Sequence, residues 1–243
     1  MTNVIGVATG SIWQWKSSHN RGELISHLRD LPIQAVELTM GSIEETEAFS
    51  LSGEDRAWLR GLPFVSIHAP GCRSFKGDRG KMEGMLGRLS DIYLDVNAKT
   101  VVFHPYDMDD FALCRPFGIQ VSVENMSVEN GYSVKDILAI LDSCPGLFLC
   151  LDTVHAYSCS PDDIRAYVSL AGGRISHIHL SAQVGGRDHR PLSAGNPSYA
   201  GLVREVLNNT DFPILIEEYF SPYDREGLSR EVTFVSSLFS ASE

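Results

Sequence analysis

The sequence predicts one α/β domain, residues 1–243, built as a (β/α)₈ barrel. Eight short apolar segments rich in β-forming residues are spread along the chain, and most are separated by a segment with helical periodicity. The repeat averages about 30 residues, the usual size of one strand, one helix and their connections. Alternating strands and helices indicate a parallel sheet with crossovers. No linker-like or low-complexity run divides the chain, so we expect a single domain.

The predicted strands are short apolar runs of the kind that are buried on both faces. They are Val4–Ala8, Ile33–Leu38, Phe64–His68, Thr100–His104, Ile119–Glu124, Leu147–Asp152, Ile175–Leu180 and Pro213–Glu217.

The predicted helices have apolar residues at helical spacing, such as Leu24, Ile25, Leu28 and Leu31. They are Arg21–Leu31, Lys81–Val96, Val134–Leu141, Asp162–Leu170 and Tyr199–Leu207. The fourth βα unit departs from the pattern, because only fifteen residues lie between His104 and Gln120. Pro116 and Gly118 fall in that gap, which predicts a short, distorted or absent fourth helix. A doubly wound open sheet is the alternative fold, but the first strand is not followed by GxGxxG.

Composition narrows the possible functions. A net charge of −11 argues against broad nucleic-acid affinity, which needs cations to neutralise phosphates. Much of the acid is clustered, as in Glu44-Glu45-Thr46-Glu47, which we interpret as a solvated helix face or first turn. No apolar stretch is long enough for a membrane span, and no secretory signal is visible. Five cysteines without a CxxC pair favour a reducing compartment, so we expect a cytoplasmic protein of undetermined oligomeric state.

Seven of the eight predicted strands end in or near a side chain that can bind a metal ion. In barrels of this class the C-terminal strand ends share one mouth, where catalysis takes place. The seven side chains are Glu37, His68, His104, Glu124, Asp152, His179 and Glu217, and the following loops add His155, Asp188 and His189. Imidazole and carboxylate ligands suit Zn²⁺, Mn²⁺, Co²⁺ or Fe²⁺. The sequence therefore predicts a divalent metal site at this mouth.

Several of these residues also have a structural interpretation. Asp152 can cap the helix that follows it, and Glu37 can serve only to hydrogen-bond its strand to neighbouring strands. His177 and Cys150 share strand parity with ligand candidates but lie deeper, so we interpret them as interior residues. Asn125 is expected either to hydrogen-bond near the site and bind substrate, or to be a turn residue.

The ordered set of motifs resembles the xylose-isomerase-like barrel superfamily, which includes sugar-phosphate isomerases and epimerases and endonuclease IV. The residues that carry the resemblance are Val36-Glu37-Leu38, Ile67-His68-Ala69-Pro70, His104-Pro105, Glu124-Asn125, Leu151-Asp152-Thr153-Val154-His155, Ile178-His179-Leu180, Asp188-His189 with Gly195, and Ile216-Glu217.

The resemblance implies one to three metal ions per chain. Glu124, Asp152, His179 and Glu217 would form the metal tetrad of the isomerases and epimerases. In the endonuclease branch, His68 and His104 would hold a second ion with Glu124 as a bridge, and His155 with Asp188 and His189 would hold a third. The sequence departs from that branch where Arg187 stands in place of an expected acid, and at Ser181-Ala182 and Ser193-Ala194-Gly195.

Two functions follow from the resemblance. The first is isomerisation or epimerisation of a small sugar or sugar phosphate, in which the metal stabilises an enediolate and Glu124 and Glu217 remove and return a proton. Trp13 and Trp15 would form an apolar wall for the sugar. Arg187, Arg190, Lys16 or Arg73 would bind a phosphate.

The alternative is metal-assisted phosphodiester hydrolysis on abasic DNA, which needs the additional histidines as ligands. Only this alternative implies nucleic acid as a partner. A third hypothesis keeps the barrel and its metal in a structural or sensing role. The fold does not distinguish an isomerase or epimerase from a dehydratase or lyase.

Overall fold

The structure is a computed structural model that describes residues 3–208 and 210–239, apart from the side chain of residue 128. Ten strands lie in these ranges. They are β1 (Ile5–Ala8), β2 (Ala35–Thr39), β3 (Phe64–His68), β4 (Thr100–Phe103), β5 (Val121–Glu124), β6 (Phe148–Asp152), β7 (Ile175–Leu180), β8 (Ala182–Val184), β9 (Arg187–Arg190) and β10 (Ile214–Ile216). Eight of them form a closed parallel barrel in the order β1-β10-β7-β6-β5-β4-β3-β2. The predicted (β/α)₈ barrel is confirmed.

The helices between the strands pack an apolar face against the outside of the barrel. They are α1 (Ile43–Ala48), α2 (Gly53–Gly61), α3 (Arg79–Val96), α4 (Val134–Ser143), α5 (Thr153–Cys159), α6 (Asp163–Ala171), α7 (Pro197–Leu207) and α8 (Arg225–Phe239). Within the described ranges, no helix combines the length and hydropathy needed to cross a membrane. The longest, α3, buries Met82, Leu86 and Leu89 at the predicted spacing. Four predicted helices therefore occur close to their expected bounds, as α3, α4, α6 and α7.

The predicted helix Arg21–Leu31 is instead a 3₁₀ helix over Arg21–His27. Asn20 accepts a hydrogen bond from the amide of Gly22, and a Cβ at Gly22 would lie 1.9 Å from the carbonyl oxygen of Ser50. Packing this tight against the chain after α1 leaves no room for a wider α-helical turn.

The fourth βα unit contains a 3₁₀ helix, Phe111–Phe117, between β4 and β5. Pro116 lies inside it and cannot donate a backbone hydrogen bond, and Gly118 ends it with a φ of 67°.

Several elements were not predicted from the sequence, including α1 and α2 between β2 and β3. The antiparallel hairpin β8–β9 follows β7, and α8 packs against β1 after the last barrel strand. Helix α5 begins immediately after β6, so His155 lies in its first turn and not in a loop as expected.

The interior of the barrel is unusually polar for a region normally filled by branched apolar side chains. Glu37, Ser66, Ser122, His177 and His179 are each fully buried there. Buried polar groups are stable only when they have hydrogen-bond partners, so this layer forms a connected network beneath the mouth.

Gly6 on β1 has no room for a side chain. A Cβ at this position would lie 2.2 Å from the carbonyl oxygen of Ala35 on β2.

Candidate metal centre and active site

Four side chains from neighbouring strands meet at the mouth of the barrel. Glu124 and Asp152 end β5 and β6, His179 lies on β7, and Glu217 directly follows β10. Each offers a ligand atom within 4.8 Å of the others. His179 Nδ1 lies 2.9 Å from Glu217 Oε2 and 3.5 Å from Glu124 Oε1. We call these four residues the tetrad.

Three potential ligand atoms of the tetrad have no hydrogen bond within the part of the chain that the structure describes, although two of them, His179 Nδ1 and Glu217 Oε2, face each other at 2.9 Å. Among the described residues, Asp152 Oδ2, His179 Nδ1 and Glu217 Oε2 are buried without a hydrogen bond. Burying polar atoms without hydrogen-bond partners costs free energy. One cation bound between these three atoms would satisfy all of them. Three carboxylates and an imidazole are also a donor set that suits Zn²⁺, Mn²⁺ or Co²⁺. The residues present therefore fit a divalent metal.

Asp152 has both of the roles that the sequence suggested. Its Oδ1 accepts a 2.7 Å hydrogen bond from the amide of His155 and caps α5, while Oδ2 remains free. Asn125 fixes the backbone of Asp152 from the adjacent strand, because its side chain accepts from the Asp152 amide at 2.7 Å and donates to the Asp152 carbonyl at 2.9 Å. Asn125 thus supports a tetrad residue, and its role in substrate binding stays a prediction.

Glu37 orients the histidine of the tetrad. Its Oε2 lies 3.1 Å from His179 Nε2 and 3.3 Å from His177 Nε2, and it accepts a 2.9 Å hydrogen bond from Ser66. Burial alone would raise the pKa of Glu37, but the charge of His179 and hydrogen bonds from His177 and His179 hold it well below its usual value. An ionised carboxylate only accepts hydrogen bonds. His179 therefore donates through Nε2 and turns Nδ1 towards the tetrad.

A second group of potential ligands shares Glu124 with the tetrad and adds His68 and His104. Glu124 Oε2 lies 3.1 Å from His68 Nε2 and 3.5 Å from His104 Nε2, while Oε1 faces His179 and, at 3.5 Å, His155 Nδ1. Only 2% of the Glu124 side chain is exposed. Although burial opposes it, hydrogen bonds from His179 and His68 hold the pKa of Glu124 well below its usual value. Glu124 is thus an ionised carboxylate with imidazoles facing both oxygens.

A third group shares Asp152 with the tetrad and adds His155 and His189. His155 Nδ1 lies 3.1 Å from the carbonyl of Asn125, and His189 Nδ1 lies 3.0 Å from the carbonyl of Glu217. A backbone carbonyl on one ring nitrogen leaves the other nitrogen available, as in metal-binding histidines. His189 adopts a φ of 53°, which is uncommon for a residue with a side chain.

Three of the predicted site residues lie apart from these groups. Asp188 accepts a 2.8 Å hydrogen bond from Gln183 within the β8–β9 hairpin, and no potential metal group among the described residues includes it. Arg187, on the same hairpin, is exposed. Trp15 is buried, bonds to the carbonyl of Ser221 and stacks on Tyr223. The expected roles of Asp188 as a ligand, and of Arg187 and Trp15 in substrate binding, are not supported by these positions.

A cavity of about 490 Å³ opens beside the tetrad. Glu217 and His189 line one side, Arg21 lines another, and Trp13 and Tyr219 supply aromatic wall. Trp13 is 43% exposed and lines this cavity, and its role as a wall for a sugar stays a prediction. The volume matches the lower range of small-molecule sites.

The family model described as xylose isomerase-like TIM barrel matches residues 110–236, just over half of the chain. The chain belongs to this family. The matched region contains Glu124, Asp152, His179 and Glu217, so it covers the whole tetrad. No curated protein sequence is significantly similar to the chain.

Solved structures of other proteins superpose on this chain over nearly its full length. A protein from Sinorhizobium meliloti has a TM-score of 0.72 at 14% identity, covering 98% of this chain and 99% of its own. A D-tagatose 3-epimerase-like protein has a TM-score of 0.66 at 15% identity, covering 99% and 100%. The 3-keto-D-glucoside 4-epimerase from E. coli has a TM-score of 0.65 at 12% identity, covering 97% and 99%. At these identities the likeness establishes a shared fold.

Two residues of this xylose isomerase-like site were not identified from the sequence. Arg21 begins a segment that was assigned to a helix, and its partner Glu45 belongs to the acidic cluster that we interpreted as solvated. Glu45 is in fact buried and paired with Arg21 and Lys16. A signal of buried charge was present in the sequence at Glu37, which is a charged residue inside an apolar strand. Hydrogen bonding was expected there and is observed.

Proposed function

We propose that the protein is a divalent-metal-dependent isomerase or epimerase of a small sugar or sugar phosphate. The observation that carries this proposal is the tetrad, whose unpartnered donor atoms lie beside a cavity of about 490 Å³. Two of the structures with this fold are, by name, an epimerase and an epimerase-like protein of sugars. The proposed partner is therefore a small molecule.

When bound, a divalent cation would polarise the substrate carbonyl and stabilise the negative charge that proton removal leaves on oxygen. Glu217 is the proposed base, because 17% of its side chain is exposed and it lines the cavity. Although burial opposes it, the charge of His179 lowers the pKa of Glu217, so the carboxylate is ionised and able to accept a proton.

Glu124 is the proposed partner in proton transfer. It comes from β5 and Glu217 follows β10, and these two strands are separated by β6 and β7 around the barrel. A proton taken from the carbon next to the carbonyl on one face is returned on the other face in an epimerase, or to the adjacent carbon in an isomerase. His68 Nε2 lies 3.1 Å from Glu124 Oε2, and Glu124 raises the pKa of His68 to about 9, so His68 would supply to the ionised Glu124 the proton that Glu124 passes to the substrate.

Solvent deuterium incorporation tests this assignment. The metal-loaded protein is incubated in D₂O with a panel of ketoses and sugar phosphates, and C–H exchange is followed by NMR. Glu217→Gln should slow exchange about 10²- to 10⁴-fold, the usual contribution of a general base. Glu226→Gln, on the exposed face of α8, is the matched control and should exchange at the native rate. Native exchange by Glu217→Gln would show that the assignment is wrong.

Phosphodiester hydrolysis is the second candidate, and one observation favours it. The second and third ligand groups share Glu124 and Asp152 with the tetrad, so the four additional imidazoles of His68, His104, His155 and His189 adjoin the same site. Metal ions that share carboxylates are typical of hydrolases that act on phosphate esters. A one-metal isomerase has no need of these side chains as ligands.

Metal content separates the two candidates. Elemental analysis of the purified protein and of His155→Ala should give one ion per chain in both proteins under the isomerase proposal. Three ions per chain, one of which is lost in His155→Ala, would favour the hydrolase. Cleavage of an oligonucleotide with one abasic site, compared with the same duplex without it, then tests the hydrolase directly.

A further inference from the structure

The cavity extends away from the tetrad towards a buried cation. Going round the barrel, β7, β10, β1 and β2 are consecutive neighbours. His189 and Glu217 lie on the β7–β10 side of the cavity, while Arg21, Thr39 and Gly41 lie at the end of β2 and beyond. A ligand that contacts the tetrad therefore has Arg21 at the other end of the same cavity.

Arg21 is fixed in place by two of its three nitrogens. Nε forms an ion pair with Glu45 Oε2, and Nη1 donates a 3.0 Å hydrogen bond to the carbonyl of Thr39. Nη2 has no hydrogen bond to any described residue and is not among the fully buried polar atoms without partners. Arg21 is 7% exposed and lines the cavity.

Gly41 is required for this arrangement. A Cβ at position 41 would lie 1.9 Å from Arg21 Nη2 and 2.5 Å from Glu45 Oε2. Any other residue would displace the guanidinium from its ion pair. The position of Arg21 is therefore specified by three parts of the chain that come together at the cavity.

Two cations and two carboxylates lie close together beside the cavity, in a protein of net charge −11. Lys16 and Arg21 both pair with the one carboxylate of Glu45. Burial lowers the pKa of Arg21 to about 10, which leaves it charged at neutral pH. Glu23, the other acid near Lys16, accepts hydrogen bonds from Ser17 and Ser18. Arg21 thus shares its carboxylate partner, Glu45, with Lys16.

We propose that Arg21 is the anion-binding residue of the cavity and holds a phosphate or carboxylate group of the substrate. A guanidinium with a free N–H group binds such oxyanions through charge-assisted hydrogen bonds. Trp13 and Tyr219 lie on the wall between Arg21 and the tetrad and contact the carbon chain of the ligand. The substrate is accordingly a sugar phosphate or a sugar acid, and not a neutral sugar. The proposal rests on the proposed function only in placing the other end of this ligand at the tetrad.

Calorimetric titration with glycerol 3-phosphate, D-glycerate and glycerol tests the proposal on the protein with its metal bound. Both anions should bind about tenfold or more tightly than glycerol, as expected for one charge-assisted contact. The tighter of the two anions identifies phosphate or carboxylate as the native group. Equal binding of glycerol and the anions would overturn the proposal.

The double variant Arg21→Gln/Glu45→Gln removes the cation without leaving its carboxylate buried and unpaired. It should lose about tenfold or more in anion affinity and leave glycerol binding unchanged. Arg56→Gln, which removes an arginine from a pair with Asp95 elsewhere on the surface, is the matched control. Native anion affinity in the folded double variant would overturn the proposal.

Lys16→Gln covers the case in which the double variant does not fold, because it changes a partly exposed side chain. It should weaken anion binding about threefold through the lost charge, and unchanged affinity would count against the proposal. Asp152→Asn separates this proposal from the proposed function. It should lose metal but keep an anion affinity that still depends on Arg21. If anion binding follows the metal and not Arg21, the proposal fails while the metal site stands.

Discussion

Replacing Glu37 by Gln tests whether the buried carboxylate under the tetrad controls metal affinity. Glutamine keeps the shape of the side chain but removes its charge. It also places an NH₂ group where two imidazole N–H groups and the Ser66 hydroxyl now donate to Glu37. One of these donor groups then has to rotate away from residue 37, or its imidazole has to adopt the other tautomer. The donor that matters is His179 Nε2, because a change of tautomer there moves the proton to Nδ1, which faces the tetrad.

The size of the effect follows from the 3.1 Å contact between Glu37 and His179. Carboxylates that orient a metal-binding histidine contribute about 10- to 100-fold in metal affinity. This corresponds to about 1.4–2.7 kcal/mol at 1.4 kcal/mol per tenfold change. A hydrogen bond to a charged group, about 1.5–3 kcal/mol, gives the same range independently. We therefore expect a 10- to 100-fold weaker metal site in Glu37→Gln.

Competition with a fluorescent Zn²⁺ chelator measures this affinity, and the Co²⁺ absorption spectrum reports any change in ligand geometry. Ser66→Ala is the matched control, since it removes another hydrogen bond to Glu37 at 2.9 Å without touching His179. It should lose some stability but keep its metal affinity within about threefold. If folded Glu37→Gln binds Zn²⁺ as tightly as the native protein, Glu37 does not orient His179 for metal binding.

Three further outcomes are expected. Although burial opposes it, Glu124 raises the pKa of His68 to about 9 from 6.5. The charged His68–Glu124 pair should therefore stabilise the metal-free protein fully below pH 6.5, and this stabilisation should be lost as the pH rises towards 9. A urea unfolding midpoint that does not fall over this interval would contradict the prediction. Gly6→Ala should destabilise the fold by about 3 kcal/mol because its Cβ would overlap the Ala35 carbonyl, and a melting temperature within about 2 °C of native would show that the strands can separate. Cys159 is the one partly exposed cysteine of the five, and burial raises the pKa of Cys72 to about 12. Ellman's reagent at pH 8 should therefore react rapidly with one thiol of the native protein. Rapid reaction of several thiols would show that the other four cysteines are not buried.

The barrel and the tetrad are determined by local patterns in the sequence. Apolar runs at regular spacing identify all eight barrel strands, because a strand buried on both faces must be apolar along its length. Parallel strands bring their C-terminal ends to one edge of the sheet. The position of a polar residue at such an end can therefore be predicted from its own strand alone. Glu124, Asp152 and His179 are placed together for this reason. The cytoplasmic location that the cysteine content suggested stays a prediction.

The pairing of side chains across the barrel was decided by the tertiary structure. Glu37 and His179 are 142 residues apart, and they meet only because the sheet closes. Asp188 and His189 are adjacent in sequence, yet the hairpin directs His189 to the third ligand group and Asp188 to Gln183. Neighbouring residues on a strand point to opposite faces. The sequence did not predict this hairpin, so it could not show which of its faces points to the tetrad.

Arg21 shows the same limit at the cavity. Its side chain is typical of a solvated surface in composition, and only the close approach of Gly41 and Glu45 encloses it. The sequence by itself determined which residue types stand at the strand ends, since periodicity is a local property of the chain. The tertiary structure decided which of those residues share a carboxylate, which are supports and where a cation lies buried, because these depend on distances between segments that no local pattern records.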